Sequence, residues 1–357
     1  MKNHYIIPIF IPHRGCPHDC VFCNQRKITG LDTEITSEQI IDIIEGHLNT
    51  ISDSVLKEIA FFGGSFTGLD LKVQQSFLNI AKNYKDEGKI DKIRLSTRPD
   101  YIDKEIIENL KAYGVDIIEL GVQSLDKEVL NSSNRGHTVE DVYRAVDMIK
   151  ANEFELGLQM MVGLVGDTYN KSLYTVKKFI ELNPDFVRIY PTLIIRQTYL
   201  ETLYIKKIYK PFTLEDTIDY IKDYLMLFKY FDIPVIRIGL QPTKNISFEE
   251  DVVAGPLHPS IRQIIESKLY GEIIKLMLIE KRFNTNNLII KLNSKSVSQF
   301  VGYKGENLKK LKKKYNIKII ETNNVNKIEI NDGYEKYLLD EKYFIKKYLC
   351  KHNIICS

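Results

Sequence analysis

Short apolar runs rich in β-branched and aromatic residues alternate with amphipathic stretches through the first two thirds of the chain. Seven of these runs predict strands, at Tyr5–Phe10, Glu58–Phe62, Ile93–Ser96, Ile117–Val122, Glu155–Val162, Phe186–Tyr190 and Pro234–Gly239. The stretches between them predict helices, among them Ser37–His47, Leu71–Tyr84, Lys104–Tyr113, Glu140–Asn152, Tyr169–Leu182 and Leu214–Phe231. Alternation of this kind predicts an α/β fold of parallel βαβ units, in either a barrel or a doubly wound sheet. Both architectures place their chemistry at the carboxyl ends of the strands.

The pattern changes after Lys281, where a polar stretch at 284–287 reads as a linker. The order that follows is strand, helix, glycine loop, helix, two strands and a final helix, at Leu288–Leu292, Lys295–Val301, Gly302–Gly305, Glu306–Tyr315, Ile317–Glu321, Lys327–Ile330 and Gly333–Leu349. We therefore expect two domains, at residues 1–282 and 283–357, with a small α+β arrangement (βααββα) in the second.

Charge is divided between these two parts. From Lys281 to Ser357 there are 17 Lys or Arg residues against 7 Asp or Glu, a net of +10, and the preceding 280 residues carry a net of −7. A basic tail on an acidic body predicts a separate segment that meets a polyanion. A solvated, Lys-rich surface is the alternative interpretation.

Three of the five cysteines lie together, as Cys16, Cys20 and Cys23, and the other two are Cys350 and Cys356. Thiolates are the usual ligands of iron–sulfur clusters, and three of them leave one iron of a [4Fe–4S] cube open. Zinc is the competing metal, with His13 or His18 as a fourth ligand. Structural zinc sites, however, usually bring their ligands in two separated pairs.

A tight cysteine triplet in a Cys-poor chain favours a reducing compartment. The first ten residues lack the apolar core of a signal peptide, and no stretch approaches the roughly 20 apolar residues of a membrane helix. The sequence thus predicts a cytoplasmic protein without a membrane partner, and it predicts nothing about oligomeric state.

The segment GCPHDCVFCNQ, with Phe22 before the last cysteine, resembles the signature of the radical S-adenosylmethionine (SAM) superfamily. The resemblance implies a partial (β/α)6 TIM-like barrel in which Cys16, Cys20 and Cys23 hold a [4Fe–4S] cluster and SAM chelates the open iron. One electron, from a donor such as flavodoxin or ferredoxin, then cleaves SAM to methionine and a 5′-deoxyadenosyl radical.

Further motifs resemble the catalytic subunit of Elongator, at 96–100 (STRPD), 119–124 (ELGVQS), 134–137 (NRGH), 159–163 (QMMVG), 188–193 (RIYPTL) and 253–259 (VAGPLHP). This resemblance covers roughly Tyr5 to Tyr270. It implies that the SAM contacts come from Gly63, Gly64, Ser65, Ser96, Gln123, Arg135 and Gln159. Gln123 corresponds to the ribose ligand, Arg135 to the partner of the SAM carboxylate, and Gln159 to a polar residue near the adenosine. Ser65 and Ser96 stand where the family has acidic residues. Arg188, Tyr190 and Arg196 are candidates for substrate contact, with structural ion pairing as the alternative.

The segment VGYKGENL at 301–308 resembles the GxxG loop of a KH domain. Glycines let such a loop approach a sugar-phosphate backbone closely. The resemblance implies RNA contacts from Gly302, Tyr303, Lys304, Gly305, Lys309 and Lys310. The alternative is a turn between two helices with solvated lysines.

Together these features predict a radical SAM enzyme that modifies a base in tRNA or rRNA. An acetyltransferase-like domain, which the Elongator family uses with acetyl-CoA, has no counterpart in this sequence. Two alternatives are a small-molecule enzyme resembling coproporphyrinogen oxidase and an RNA-binding protein that uses its cluster as a sensor.

Overall fold

A computed structural model describes residues 4–11, 20–24, 35–52, 54–240, 246–323 and 327–355. The chain forms two compact units, one of residues 1–213 with 234–257, and the other of residues 214–233 with 258–357. The second unit therefore takes in helical segments that precede the basic tail. The predicted division into domains at residues 1–282 and 283–357 stays a prediction.

The first unit is built on a parallel sheet. Its strands are β1 (His4–Phe10), β2 (Leu56–Phe62), β3 (Lys92–Thr97), β4 (Ile117–Gln123), β5 (Glu155–Val162), β6 (Phe186–Pro191), β7 (Ile194–Ile195), β8 (Val235–Ile238) and β9 (Val252–Ala254). The sheet has the order β1-β2-β3-β4-β5-β6-β8 with every pair parallel, and β7 pairs separately with β9. All seven predicted strands are confirmed. The half-barrel they form confirms the predicted fold class. Its seven parallel strands agree with the strands predicted from the apolar runs and exceed by one the six that the family resemblance implied.

Helices of this unit follow the strands, as α1 (Ser37–Leu48), α2 (Leu71–Asp86), α3 (Lys104–Ala112), α4 (Lys127–Ser132), α5 (Val139–Ala151), α6 (Tyr169–Leu182) and α7 (Tyr199–Ile205). Most begin at a side chain that accepts a backbone amide of the first turn, such as Thr36, Asp103 and Thr138. The short helices α4 and α7 were not predicted, because neither is long enough to show a helical period.

The second unit contains α8 (Leu214–Tyr230), α9 (Ile261–Glu280), β10 (Asn287–Leu292), α10 (Ser294–Val301), α11 (Glu306–Lys312), β11 (Asn316–Glu321), β12 (Glu329–Asn331), β13 (Lys336–Leu338) and α12 (Glu341–Lys351). Its sheet has the order β11-β10-β12-β13, in which β10 and β11 are parallel and the other pairs antiparallel. The helices α8, α9 and α12 pack on one another.

The final predicted helix, Gly333–Leu349, is wrong in its first part. The Asp332 carboxylate accepts the backbone amides of Tyr334 and Glu335, and Gly333 has φ of +92°. This Asp-Gly turn connects β12 and β13 in a hairpin, where a helix had been predicted. The strand β13 follows the turn, and Asp340 caps α12. The tail thus has the order βααβββα. In the part of the chain that the structure describes, no helix is long and apolar enough to cross a membrane.

Candidate functional site

The described part of the cysteine loop, residues 20–24, is held from two sides by backbone hydrogen bonds. Cys20 is buried, and the amide of Cys23 donates to the carbonyl of Cys20 over 3.0 Å. Val21, between them, donates to Ser133 O over 3.1 Å and accepts the amide of Leu200 over 2.7 Å. Cys16 lies outside the described residues, so the triad as a whole stays a prediction. The two described cysteines lie in one turn, which is compatible with their binding a single cluster.

Arg135 lies directly beside this turn. Its Nη1 donates to Sγ of Cys20 over 3.4 Å, and its Nη2 donates to Gly121 O over 2.5 Å. The side chain is buried, and its Nε has no acceptor among the described residues. A buried donor without an acceptor is costly. The free donor therefore favours an anionic ligand at this point, and a carboxylate suits the planar fork of a guanidinium.

Gln123 ends β4 in a strained conformation. Its φ of +70° lies in the left-handed region, next to a register shift between Gly121 and Gln123. Its Oε1 is buried and has no donor among the described residues. Backbone strain of this kind costs on the order of 1–3 kcal/mol and clusters at ligand sites. The strand end thus presents an acceptor that fits a hydroxyl donor such as a ribose.

Gly121 keeps the space between these two side chains open. A Cβ at this position would lie 3.0 Å from Nε2 of Gln123 and 3.1 Å from Nη2 of Arg135. The predicted residues Gln123 and Arg135 therefore meet around one glycine. With their two unpaired polar atoms, they fit a polar ligand that carries both a hydroxyl and a carboxylate group, as SAM does.

The Gly63-Gly64-Ser65 segment leaves β2 at the carboxyl end of that strand. Gly63 has φ of +81°, and a Cβ there would lie 2.9 Å from the carbonyl oxygen of Ile11. The hydroxyl of Ser65 is buried, bonds to Oγ1 of Thr97 over 2.8 Å and accepts the amide of Arg98 over 3.2 Å. Because that hydroxyl joins β2 to β3, the predicted contact with SAM falls to the backbone of this segment.

Ser96 and Gln159 are brought together across the sheet. Nε2 of Gln159 donates to Oγ of Ser96 over 3.3 Å and to Oε2 of Glu119 over 2.7 Å. Because both amide hydrogens of Gln159 are used in these two bonds, its carbonyl oxygen is the atom that remains to bind a ligand. The position stays consistent with the predicted adenosine contact.

A chain of buried charges underlies these residues, and the sequence analysis missed it. Glu119 is fully buried and binds Arg94 over 2.6 Å and Arg188 over 2.8 Å. Arg94 also binds Glu58 over 2.8 Å, and Glu58 binds His4 over 2.7 Å. Glu119 and Arg188 interrupt otherwise apolar strand segments, but the pairing of these charges across strands cannot be recognised along any one strand. Buried ions of this kind must be paired to be tolerated.

Two of the three candidates for substrate contact already have partners within the protein. Arg188 is engaged by Glu119, and burial raises the pKa of the neighbouring Tyr190 phenol. Arg196 donates from Nε to Glu250 O over 2.7 Å. The alternative of structural pairing therefore fits Arg188 and Arg196 better than an open contact.

His137, in the same segment as Arg135, is buried and uncharged. Burial, followed by the positive charges of Arg135 and Arg98, lowers the pKa of its imidazole to about 2. It is a neutral ring at any physiological pH.

In the second unit, the two glycines of the GxxG segment have different surroundings. Gly302 has φ of +84°, and a Cβ there would lie 2.8 Å from both Cγ of Asn307 and Oγ of Ser267. The amide of Tyr303 donates to that same Ser267 hydroxyl over 2.7 Å. Because Ser267 belongs to α9, the Gly302 side of the loop is closed by packing within the unit.

The Gly305 side is open. Gly305 has φ of +76°, and the nearest atom to a Cβ there would be Cε of Lys309, at 3.9 Å. Lys304 also has a positive φ, of +52°. The half of the loop that could meet a ligand backbone is therefore Lys304-Gly305.

Five lysines follow on and after α11, at positions 309, 310, 312, 313 and 314, and none forms an ion pair with a described residue. Lys310 and Lys314, with Tyr303, line a groove of about 930 Å³ between α11 and α9. Lys309 and Lys312 do not line it. The predicted RNA contacts thus fall on two faces of this unit.

Comparisons with known proteins bear on the first 271 residues of the chain. Residues 10–179 match the model of the Radical SAM superfamily, and residues 184–271 match that of the Radical_SAM C-terminal domain. The tRNA uridine(34) acetyltransferase of Methanocaldococcus jannaschii is 29% identical over 184 residues, which cover 46% of this chain and 34% of that protein. Elongator complex protein 3 of Dictyostelium discoideum is 34% identical over 139 residues, which cover 38% of this chain and 25% of that protein.

The chain is homologous to these proteins but spans about a third or less of their length. A solved structure of archaeal Methanocaldococcus infernus Elp3 with an N-terminal deletion superposes with a TM-score of 0.59 at 20% identity. The superposition covers 78% of this chain and 64% of that one, and it shows a common fold.

Proposed function

Because the chain contains the radical SAM domain and the C-terminal domain that accompanies it, we propose that it is a radical SAM enzyme that modifies a base in tRNA. The cluster is a [4Fe–4S] cube held by Cys16, Cys20 and Cys23, and the cofactor is SAM. When bound, these groups supply a one-electron cleavage of SAM that yields a 5′-deoxyadenosyl radical. The observation that carries the proposal is the meeting of Arg135 and Gln123 around Gly121, next to Cys20.

The protein's own residues bind and orient SAM in this proposal. Arg135 directs its unpaired Nε to the carboxylate, and Gln123 accepts a hydrogen bond from the ribose. The backbone carbonyls of Gly63 and Gly64 accept hydrogen bonds from the amino group, and both residues have a positive φ, which glycine adopts without strain. Gln159 offers its carbonyl oxygen to the adenine, with its amide fixed by Ser96 and Glu119.

RNA is the proposed substrate for two reasons. One relative named above, the tRNA uridine(34) acetyltransferase of Methanocaldococcus jannaschii, has tRNA in its name. The second unit also has five lysines that form no ion pair with a described residue, beside an open glycine loop. Phosphate neutralisation by such lysines dominates the affinity of RNA-binding modules. In this proposal, residues 283–357 act as a KH-like domain in a cytoplasmic enzyme, and rRNA is the second candidate substrate.

Anaerobic reconstitution tests the enzymatic part. Wild-type protein with SAM and dithionite should release 5′-deoxyadenosine, and a Cys20→Ala variant should not. An intact cluster that releases none would contradict the proposal and favour the sensor alternative. Nucleoside mass spectrometry of RNA from a deletion strain tests the substrate. A tRNA and rRNA profile identical to that of the parent strain would contradict RNA modification.

A further inference from the structure

One exposed surface of the first unit combines apolar and basic side chains beside the cysteine loop. It lies on α7 and the turn that follows, and we call it the α7 patch, made of Tyr199, Tyr204, Ile205, Lys206, Lys207, Ile208 and Lys210. Ile205 and Ile208 are 69% and 67% exposed, and Tyr199 is 60% exposed. Large aliphatic side chains exposed side by side are typical of an interaction surface.

The buried side of α7 packs on the cysteine loop. Leu200, Leu203 and Tyr209 form a cluster with Val21, and Phe22 packs against it. The amide of Leu200 also donates to Val21 O over 2.7 Å. Val21 and Phe22 are the residues between Cys20 and Cys23, so α7 directly covers the loop that carries two of the three predicted cluster ligands.

The thickness of one helix sets the distance from the patch to that loop. A helix with its side chains is about 10–12 Å across, so a protein seated on the outer side of α7 stands about that far from the cysteines. Electron transfer between proteins weakens steeply with distance. The α7 patch is therefore close enough to the cysteines for a donor docked on it to reach the cluster.

The charge of the patch indicates the kind of partner. Lys206, Lys207 and Lys210 are exposed, and none forms an ion pair with a residue in the described ranges. The one carboxylate on α7, that of Glu201, is engaged by the backbone amide of Gln197 over 2.7 Å. Three lysines that form no ion pair with a described residue, next in sequence to two exposed isoleucines, complement a protein surface that is both acidic and apolar.

We infer that the α7 patch is the docking surface of an acidic one-electron carrier protein. The inference rests on the proposed function, because it needs the cluster. In the docked complex the reduced carrier loses one electron, the oxidised cluster gains it, and no bond forms or breaks. An RNA partner is the less suitable occupant, since its phosphate groups would match the three lysines but not Ile205 and Ile208, which are both largely exposed.

A rate measurement tests the inference. The reconstituted full-length protein is mixed under anaerobic conditions with flavodoxin in its fully reduced form, and bleaching of the cluster absorbance is followed by stopped flow. Charge reversal by Lys206→Glu and Lys210→Glu together should slow reduction about tenfold or more at low salt, and the difference should shrink as salt rises. Titration of the same pair of proteins should show a matching loss of affinity.

Three controls separate the outcomes. Lys111→Glu with Lys177→Glu makes the same change of net charge on exposed positions of α3 and α6, and it should leave the rate unchanged. Dithionite, a small reductant, should reduce all variants equally. An Ile205→Ser, Ile208→Ser variant should weaken flavodoxin binding without changing the salt dependence.

Equal slowing by both charge-reversal variants, or no slowing by either, would overturn the inference. So would a loss of tRNA binding by the Lys206→Glu, Lys210→Glu variant with its reduction by flavodoxin intact. Failure of the proposed function is distinguishable, because it would appear as absence of 5′-deoxyadenosine from wild-type protein reduced by dithionite.

Discussion

The guanidinium of Arg135 donates a hydrogen bond to the sulfur of Cys20 over 3.4 Å, although 115 residues separate them in sequence. Hydrogen bonds to a ligand sulfur tune the reduction potential of a cluster. Nε of the same side chain has no acceptor in the described part of the chain and is left for the predicted carboxylate. In the proposed enzyme, Arg135 would therefore act on both the cluster and SAM.

Replacement of Arg135 by Ala should therefore weaken SAM binding about tenfold or more, since a charge-assisted hydrogen bond contributes roughly 1.5–3 kcal/mol. It should also lower the reduction potential, because a donor to the sulfur is lost. Equilibrium binding of SAM and a redox titration of the reconstituted protein measure both effects. Arg135→Lys should recover part of the potential but less of the affinity, as an ammonium lacks the planar fork. Unchanged affinity in both variants would contradict the assignment.

A methyl group at Gly121 should interfere with the same site. In Gly121→Ala, the new Cβ would press on Gln123 and Arg135 at about the distances given above, so SAM affinity should fall about tenfold while the fold is retained. Gly46→Ala is the matched control. Gly46 lies in α1 with nothing within 4 Å, and Ala there should raise stability by about 0.5–1 kcal/mol with SAM binding unchanged. Equal SAM affinity of the two variants would count against the site.

The neutral His137 predicts how stability depends on pH. Its pKa is about 2 in the folded protein, below the ordinary 6.5, so the unfolded chain binds the additional proton as pH falls below about 6.5. The free energy of unfolding should then drop by about 1.4 kcal/mol per pH unit from this residue. Urea unfolding at about pH 7.5 and about pH 5.5 measures the effect. A His137→Gln variant should lack this component, and identical pH dependence of the two proteins would show the prediction to be wrong.

The open half of the glycine loop can be tested by charge alone. Asn and Asp both tolerate the left-handed backbone of Gly305 and have nearly the same shape. Gly305→Asp should weaken RNA binding several-fold more than Gly305→Asn, with similar thermal stability, if phosphate passes close to this backbone. Fluorescence anisotropy with tRNA measures the difference. Gly302 is unsuitable for this test, because any side chain there would collide with Ser267 and Asn307 and destabilise the unit.

The lysines on and after α11 lie on different faces, and paired substitutions can test each face separately. Lys310 and Lys314 line the groove between α11 and α9, whereas Lys312 and Lys313 do not. If RNA occupies the groove, the Lys310→Glu, Lys314→Glu variant should lose about tenfold or more in affinity and show a shallower salt dependence. The Lys312→Glu, Lys313→Glu variant carries the same net charge and should bind more tightly than the first. The reverse order would place the RNA on the other face.

Much of the fold was predictable because strands and helices follow from the spacing of apolar residues along the chain. The seven strands of the parallel sheet are runs of apolar residues with turn signals at their ends, and a helix cap such as Thr138 lies within three residues of its partner. The hairpin at Asp332-Gly333 was missed although its signal is local, because lysines and tyrosines around it also suit a helix. The charge chain of Glu58, Arg94 and Glu119 was missed because pairing across strands is not encoded along any one of them.

By itself the sequence determined the cysteine turn, the succession of strands and helices, and the residues at the strand ends, since these depend on neighbours along the chain. Tertiary structure alone decided which of them meet. It brought the guanidinium of Arg135 to the sulfur of Cys20 and the hydroxyl of Ser65 to that of Thr97. It also packed Gly302 against α9 and left Gly305 accessible. The physical reason is that a hydrogen bond or a steric contact depends on distances of a few ångströms between segments far apart in sequence, and packing of the folded chain sets those distances.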